Sequence, residues 1–421
     1  MRHNGGLDLG PTLTAKFDAY LNGSGPIGVA VSGGGDSVAL LYALSQWGKR
    51  PLHVFCVDHG LNPQSPTWTQ SVAQHAARLG ATFTALEWTG EKPKTGLSAA
   101  ARTARHALLA DAARVNGIHV LCLAHTADDI LEARHMQAEG SNVGAPVEWA
   151  PSPAWPQGSG VFLFRPLLDV RRDTLREGLC RHAISWIDDP ANSNLDSHRA
   201  RARLAIQDRQ IETSGPVTQA YPADLFDLHP LGLIRLDAPV LASLPKADAL
   251  KVLAAAVVCA GGGDKLPRSA ELETVLSGLD NGKTMTLCGA RVWRDGSQID
   301  VVREAGDITR SGRGTLRVGL GDERMWDGRF SITAQMPVRI TASRRTDLND
   351  ADQSSLGYLL ARLRAILPMF EDENGSKGLA GHPFLFYVRY KPVHALCWVS
   401  YRFRAALGMF RDEAELARFL Q

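Results

Sequence analysis

Short apolar runs alternate with amphipathic segments along the first half of the chain. The segments between the runs carry apolar residues at helical spacing, such as Val38, Leu41 and Leu44. Strands that alternate with helices predict βαβ units, and hence a doubly wound, mostly parallel α/β sheet covered on both faces. The predicted strands lie in residues 27–31 (IGVAV), 52–60 (LHVFCVDHG), 82–88 (TFTALEW) and 119–125 (HVLCLAH).

The pattern changes after residue 139. Residues 140–160 are rich in Gly, Pro and Ser and show no period, so they predict a long loop, followed by a strand and by a helix from Arg172. Residues 212–222 and 305–314 have the composition of linkers. We therefore expect three domains, at residues 1–212, 217–305 and 314–421, of which the last two are smaller and α+β.

Composition narrows the class of protein only slightly. The 421 residues carry 46 basic and 44 acidic side chains, and a net charge of +2 neither requires nor excludes a polyanionic partner. The six cysteines form no Cys-x-x-Cys pair, which argues against a zinc ribbon or a dithiol centre. No signal-peptide core or membrane-spanning run is present, so we expect a cytoplasmic protein without a membrane partner.

A glycine-rich loop, SGGGDS, stands between the first strand and the first helix. Backbone N–H groups and the positive end of a helix dipole make such a loop a binding site for phosphate. A Walker A loop would end in Gly-Lys-Ser/Thr, but Asp36 stands there, and an acid beside phosphates predicts a Mg²⁺ ion between them. The residues expected to bind the nucleotide are Ser32, Gly33, Gly34, Gly35, Asp36 and Ser37.

A histidine and three acids follow the fourth strand: His125, Asp128, Asp129 and Glu132. Their spacing brings most of them to one side of a helix that starts there. Capping of the helix N-terminus explains one acid, or two. Because capping does not explain all four residues, we predict a functional site in this segment.

Two further pairs of residues are candidates. Asp58 and His59 end the second strand, where ligands bind in doubly wound sheets, although an acid there also caps turns. Arg102 and Arg105 share one face of a helix and together suit a phosphate, or simply form a solvated face.

Basic residues alternate in RARAR, at Arg199, Arg201 and Arg203. Such residues contact RNA phosphates without reading the base sequence. A solvated run of charge is the alternative interpretation.

The glycine loop resembles the Ser-Gly-Gly-x-Asp-Ser signature of PP-loop ATP pyrophosphatases, which cleave ATP between the α- and β-phosphates. Residues 24–205 resemble, more narrowly, the tRNA(Ile)-lysidine synthetase family. Five segments carry this resemblance in order: residues 57–65 (VDHGLNPQS), 96–109 (GLSAAARTARHALL), 124–133 (AHTADDILEA), 165–179 (RPLLDVRRDTLREGL) and 186–203 (WIDDPANSNLDSHRARAR).

The resemblance implies a fold, a reaction and partners. The family joins free L-lysine to C2 of the wobble cytidine of tRNA(Ile) with a CAU anticodon, through an adenylated cytidine, and releases AMP and pyrophosphate. ATP and Mg²⁺ are the implied cofactors, with the metal on Asp36 and Asp129. The departures from the family pattern include Ile130 in place of a Gln, Glu139 in place of an Arg and Ala200 in place of an Asn.

The implied residue roles follow the matching positions. Catalysis is expected of Asp36, Asp128, Asp129, Glu132 and Arg105. ATP binding is expected of the loop residues 32–37 and of Asp58, His59 and Arg102, and contact with tRNA of His125, Arg199, Arg201 and Arg203. The alternatives are another PP-loop enzyme, such as a tRNA thiolase or an amidotransferase-type synthetase, or a nucleotide sensor without catalysis.

Overall fold

The computed structural model describes residues 10–140, 144–188, 220–343, 361–381 and 392–420. The chain divides into two compact units, Met1–Thr218 with Phe410–Gln421, and Gln219–Met409. The division into three domains stays a prediction. Arg199, Arg201 and Arg203, and most of the first predicted linker, lie outside the described residues.

A six-stranded sheet forms the centre of the first unit. Its strand order is β3-β2-β1-β4-β6-β5, and every neighbouring pair is parallel except β5 with β6. The strands are β1 (Ile27–Ala30), β2 (Leu52–Asp58), β3 (Thr82–Glu87), β4 (Val120–Cys122), β5 (Trp149–Pro151) and β6 (Phe162–Phe164). The helices are α1 (Gly10–Tyr20), α2 (Gly35–Trp47), α3 (Ser65–Arg78), α4 (Leu97–Val115), α5 (Ala127–Ala138) and α6 (Arg172–Arg181). The predicted doubly wound α/β fold is confirmed.

Burial explains why these segments form a parallel sheet. Ile27 and Val29 of β1 and Val54 of β2 are fully buried, and α2 packs Leu40 and Leu44 into the same core. Each such side chain contributes about 1.5–3 kcal/mol when it leaves water. Apolar runs without alternation therefore become central strands, as expected for a sheet covered on both faces.

The strand order reverses between β1 and β4, and this reversal positions the candidate site. The chain runs outward from β1 through β2 to β3, then returns to β4 on the other side of β1. Ligands in doubly wound sheets bind at the carboxyl ends of the strands beside such a reversal. The glycine loop after β1 and the His-and-acid segment after β4 both start at this edge.

The prediction of an unstructured loop over residues 140–160 is wrong at its centre. Trp149 pairs with Phe164, which makes β5 an antiparallel edge strand. The Trp149 ring stacks on Phe162, with 5.0 Å between ring centroids, and lies 5.5 Å from the ring of Tyr20. Aromatic burial against β6 therefore orders a segment whose local composition is typical of loops.

The second unit is built from antiparallel sheets and helices, which confirms the predicted α+β class. Its sheets have the orders β7-β8-β11-β10-β9, β12-β15-β16-β17 and β13-β14-β18. The strands of the first sheet are β7 (Phe226–Leu228), β8 (Ile234–Asp237), β9 (Met285–Leu287), β10 (Ala290–Asp295) and β11 (Gln298–Arg303). The others are β12 (Leu316–Val318), β13 (Glu323–Trp326), β14 (Phe330–Ala334), β15 (Val338–Ala342), β16 (Pro368–Asp372), β17 (Lys377–Leu379) and β18 (Val393–Cys397).

Helices α7 to α12 belong to the same unit. They are α7 (Ala238–Ser243), α8 (Lys246–Gly261), α9 (Ser269–Asp280), α10 (Ala305–Arg310), α11 (Ala361–Arg364) and α12 (Val399–Ala406). Helix α10 lies in the predicted second linker, and that prediction is wrong because Ile308 is fully buried and anchors the helix in the core. No helix in the described parts of the chain has both the length and the apolar character needed to span a bilayer.

The last helix, α13 (Glu413–Leu420), belongs to the first unit. Glu413 forms an ion pair with Arg50, and both side chains are only 6% exposed. The Trp149 indole N–H donates to the carbonyl of Phe410 at 2.8 Å. The end of the chain is therefore a structural element of the unit that carries the glycine loop.

Candidate active site

The glycine loop has a conformation that side chains would obstruct. Gly33 has φ +88°, and a Cβ there would lie 2.4 Å from the side chain of Ile187. The Ile187 N–H donates to the Gly33 carbonyl at 2.9 Å, and Trp186 packs beside Gly35. Gly34 is extended and serves as the N-cap of α2. A glycine is thus required at position 33, where Ile187 approaches the loop backbone.

The two serines of the loop have different environments. Ser37 is buried, and its hydroxyl donates to the Gly34 carbonyl at 2.8 Å while it accepts from the backbone N–H of Ser32 at 3.2 Å. These bonds hold the loop in shape. The Ser32 side chain is exposed at the same edge and lies 3.3 Å from the Ser37 hydroxyl.

Three carboxylates meet around one guanidinium group. Arg172, at the start of α6, donates from Nε to Asp36 at 2.9 Å and from Nη1 to Glu132 at 3.2 Å. Its Nη2 lies 3.7 Å from a carboxylate oxygen of Asp129. The structure thus brings together acids from α2 and α5, as the sequence predicted, and adds an arginine that it did not predict.

The other acid of this segment has a different position. The Asp128 carboxylate accepts the backbone N–H of Arg172 at 2.8 Å and pairs with Arg171 at 2.9 Å. Asp129 accepts the N–H and hydroxyl of Thr126 at 2.8 and 2.9 Å. Two of the four residues therefore cap helices, which is the number that capping was expected to explain.

Asp36, Asp129 and Glu132 form an acid cluster, and its electrostatics favours the binding of a further cation. Burial raises the pKa of Asp36; Arg172 opposes this shift, and the charge of Asp129 adds to it. Burial by itself would lower the pKa of Arg172, but Asp36, Asp129 and Glu132 together raise it. One guanidinium faces three carboxylates, so the cluster keeps an excess of negative charge.

Basic groups collect around His125, which precedes α5. Arg165 is only 8% exposed, and its Nε donates to Nδ1 of His125 at 3.2 Å. Because a guanidinium only donates, the proton of a neutral His125 lies on Nε2. Burial lowers the pKa of the neighbouring His106 to about 3, and Arg105, Arg102 and Arg165 contribute. The predicted arginines therefore lie near His125 and near two basic residues that were not predicted.

Asp58 and His59 lie at the end of β2. Asp58 accepts the backbone N–H of Gly60 at 2.7 Å, so it caps a turn, as the structural alternative expected. The ring of His59 lies edge-on to Trp88, and its pKa is lowered by burial and by Arg105. Their contact with ATP stays a prediction.

Arg171, Arg172, Arg165 and His106 were missed as site residues. Three of them lie in the RPLLDVRR segment, which the family resemblance had already singled out without a role for its arginines. His106 directly follows Arg105 on α4. Membership of a matching segment was therefore the available signal, because neither helical spacing nor charge pattern connects these residues with Asp36.

The chain is similar to a family model and to known proteins. Residues 11–210 match the model of the PP-loop domain family. The chain is 42% identical to the tRNA(Ile)-lysidine synthase of Caulobacter vibrioides over 92% of its own length and 95% of that protein.

The chain belongs to the tRNA(Ile)-lysidine synthase family. A second member, from Ruegeria pomeroyi, is 35% identical over 78% of this chain and 81% of that protein. The U34-tRNA thiolase NcsA from Methanococcus maripaludis, a solved structure, aligns with a TM-score of 0.40 and 16% identity over 47% of this chain and 71% of that one.

Proposed function

We propose that this protein joins L-lysine to C2 of the wobble cytidine of a tRNA(Ile) with a CAU anticodon, at the cost of ATP cleavage to AMP and pyrophosphate. The observation that carries the proposal is the cluster of Asp36, Asp129 and Glu132 beside the glycine loop. A phosphate-binding loop and a cation-binding cluster at one sheet edge suit a reaction between a nucleotide and an amine. Membership of the synthase family supports the same reaction.

In the first step, the C2 oxygen of cytosine attacks the α-phosphorus of ATP and pyrophosphate leaves. The backbone N–H groups of the glycine loop and the start of α2 bind the departing phosphates. Arg105 stabilises the charge that develops on the α-phosphate. His59, at the end of β2, borders the adenosine.

In the second step, the ε-amine of lysine attacks C2 and AMP leaves with the oxygen. Free lysine is mostly protonated at neutral pH, so the site must first hold an ammonium group and then accept its proton. The carboxylates of Asp129 and Glu132 suit these two tasks. Asp128, whose oxygens are used by Arg171 and the start of α6, positions that helix.

The carboxylates of Asp36 and Asp129 also fit a Mg²⁺ ion that binds together with ATP. One oxygen of Asp36 is buried and has no hydrogen-bond partner. The described residues contain no group of three or more side chains that could hold a metal ion by themselves. Mg²⁺ commonly binds to one or two carboxylates and completes its shell with phosphates and water. Asp36 and Asp129 would hold the ion, which would neutralise phosphate charge.

The test is the mass of a tRNA(Ile) transcript with cytidine at the wobble position after incubation with protein, ATP, Mg²⁺ and lysine. We expect a gain of lysine less water that requires both ATP and lysine. Asp36→Asn should abolish the gain, whereas the matched variant Asp111→Asn, on the exposed side of α4, should keep it. Release of pyrophosphate without the mass gain would retain PP-loop chemistry and refute this substrate.

A further inference from the structure

A cavity lies in the first unit, beside the segment that precedes α5. Its volume is about 330 Å³, within the range of small-ligand pockets. One wall is basic and consists of Arg102 and His106 from α4, His125 before α5, and Arg165 after β6. The opposite wall comes from the segment around β5 and is formed by proline, alanine, glycine and valine residues between 144 and 154.

The charge of this cavity is of one sign. None of the described residues that line it is an acid. Arg165 is nine-tenths buried, and besides His125 it donates to the carbonyl of Val147 at 2.7 Å, which joins the basic wall to the apolar one. Bulk water therefore screens this guanidinium only weakly.

Two properties of the basic wall, one of Arg165 and one of His106, indicate an anionic ligand. Burial lowers the pKa of Arg165 to about 10, and the charges of Arg102 and Arg105 contribute, so an anion would relieve repulsion among these groups. His106 lines the cavity and is 6% exposed, and its buried Nδ1 has no hydrogen-bond partner. Buried polar groups without partners are rare in folded proteins, and a bound ion or water is one explanation for such a group.

The structure assigns this cavity to one nucleotide of the RNA substrate, with its phosphodiester on Arg102 and Arg165 and its sugar or base against the apolar wall. This inference rests on the proposed function. It assigns Arg102 to tRNA binding, whereas the sequence predicted ATP binding for this residue.

The chemistry of the wall favours RNA over ATP. A triphosphate arrives with a divalent cation, which needs carboxylate or other oxygen ligands, and those lie at Asp36 and Asp129. A phosphodiester carries one charge and needs no metal, so arginines and a neutral imidazole suffice. The cavity also lies at β4, β6 and β5, on the opposite side of β1 from β2, whereas the phosphate loop follows β1.

The experiment compares full-length Arg102→Gln with wild type, and uses Arg134→Gln, an exposed arginine on α5, as the matched control. We measure the dissociation constant of the tRNA(Ile) transcript across a series of KCl concentrations, and that of ATP in the absence of tRNA. Loss of one phosphate contact should weaken tRNA binding by about tenfold and reduce the slope of log K against log[salt] by about 0.7, the value for a single strand. ATP binding should change less than about twofold, and Arg134→Gln should change neither.

Three results would overturn the inference: loss of ATP affinity instead of tRNA affinity, loss of both in equal measure, or no change in either. Arg165→Gln serves as a second variant if its circular dichroism spectrum and melting curve show a folded protein, and it should reproduce the smaller salt slope.

Substitution of single phosphates identifies the partner directly. In an anticodon stem-loop, one loop phosphate replaced by a neutral methylphosphonate should weaken binding to wild type, and should cost less with Arg102→Gln, which keeps only the contact of Arg165. If every replacement costs the same with both proteins, the cavity does not bind a phosphodiester. The tRNA mass assay decides the proposed reaction separately, so failure of the cavity and failure of the reaction give different results.

Discussion

Replacement of Arg172 by glutamine tests whether the acid cluster depends on its guanidinium. Arg172 is 14% exposed, and its partners are 23% (Asp36), 12% (Asp129) and 0% (Glu132) exposed in their side chains. Removal of one partner from a buried ion pair costs about 3–5 kcal/mol. Because Asp36 keeps some access to water, we take about 3 kcal/mol, and for a domain of this size each kcal/mol corresponds to about 2–4 °C in melting temperature.

We therefore expect Arg172→Gln to lower the melting temperature of the first unit by about 6–12 °C at neutral pH. Thermal unfolding by circular dichroism is the assay, and the transition that ATP shifts belongs to this unit. Arg176→Gln is the matched control on the same helix, since its ion pair with Asp188 is exposed and 3.8 Å long. It should change the melting temperature by less than about 2 °C.

The pH dependence has a definite sign. Burial and the charge of Asp129 raise the pKa of Asp36, whereas Arg172 lowers it. Without Arg172 that pKa rises further, so the folded protein binds the proton more tightly than the unfolded chain does, and its stability falls as the pH rises through the folded pKa. The difference in melting temperature between Arg172→Gln and wild type should thus be largest at neutral pH and become smaller toward about pH 5. A melting temperature within about 2 °C of wild type, or an equal deficit at both pH values, would refute the reasoning.

Three further predictions concern the loop, the last helix and the reaction. Gly33→Ala should abolish ATP-dependent pyrophosphate release, because its φ is +88° and its Cβ would lie 2.4 Å from a neighbouring carbon. Gly25→Ala, before β1, should retain most of it, because a Cβ there would meet nothing within 4 Å. Equal rates would contradict the steric argument. Glu413→Gln should lower the melting temperature of the first unit, because it breaks a buried ion pair, whereas Glu415→Gln, whose partner Arg411 is 70% exposed, should lower it less. Asp36→Asn should slow pyrophosphate release by about 100-fold or more, and a loss below tenfold would remove it from the reaction.

Local patterns predicted the first unit well because its strands are buried on both faces. A run such as residues 27–31 can remove so many apolar side chains from water only as a central strand that is covered on both faces. Strand β5 escaped prediction because three residues cannot show a period, and its order depends on the ring of Phe162, which lies 13 residues further along the chain. Helix α10 escaped for a similar reason, since burial of Ile308 decides it.

The candidate site likewise contains residues that the sequence predicted and residues that it missed. The glycine loop and the acids after β4 are each short segments whose chemistry and spacing are visible locally. The guanidinium between them is 136 residues away from Asp36 in the chain, and no periodicity connects the two. The basic cavity likewise joins Arg102 to Arg165 through the packing of α4 against the sheet.

The sequence by itself determined the strand–loop–helix unit, its affinity for phosphate and the family of the chain, because backbone freedom at glycine and the order of motifs are local properties. Tertiary structure alone decided that Arg172 lies among three carboxylates, that Arg165 faces a cavity and that α13 belongs to the first unit. The physical reason is that charges and apolar faces distant in the chain meet only where strand order brings them, and their energies depend on burial that no segment carries in isolation.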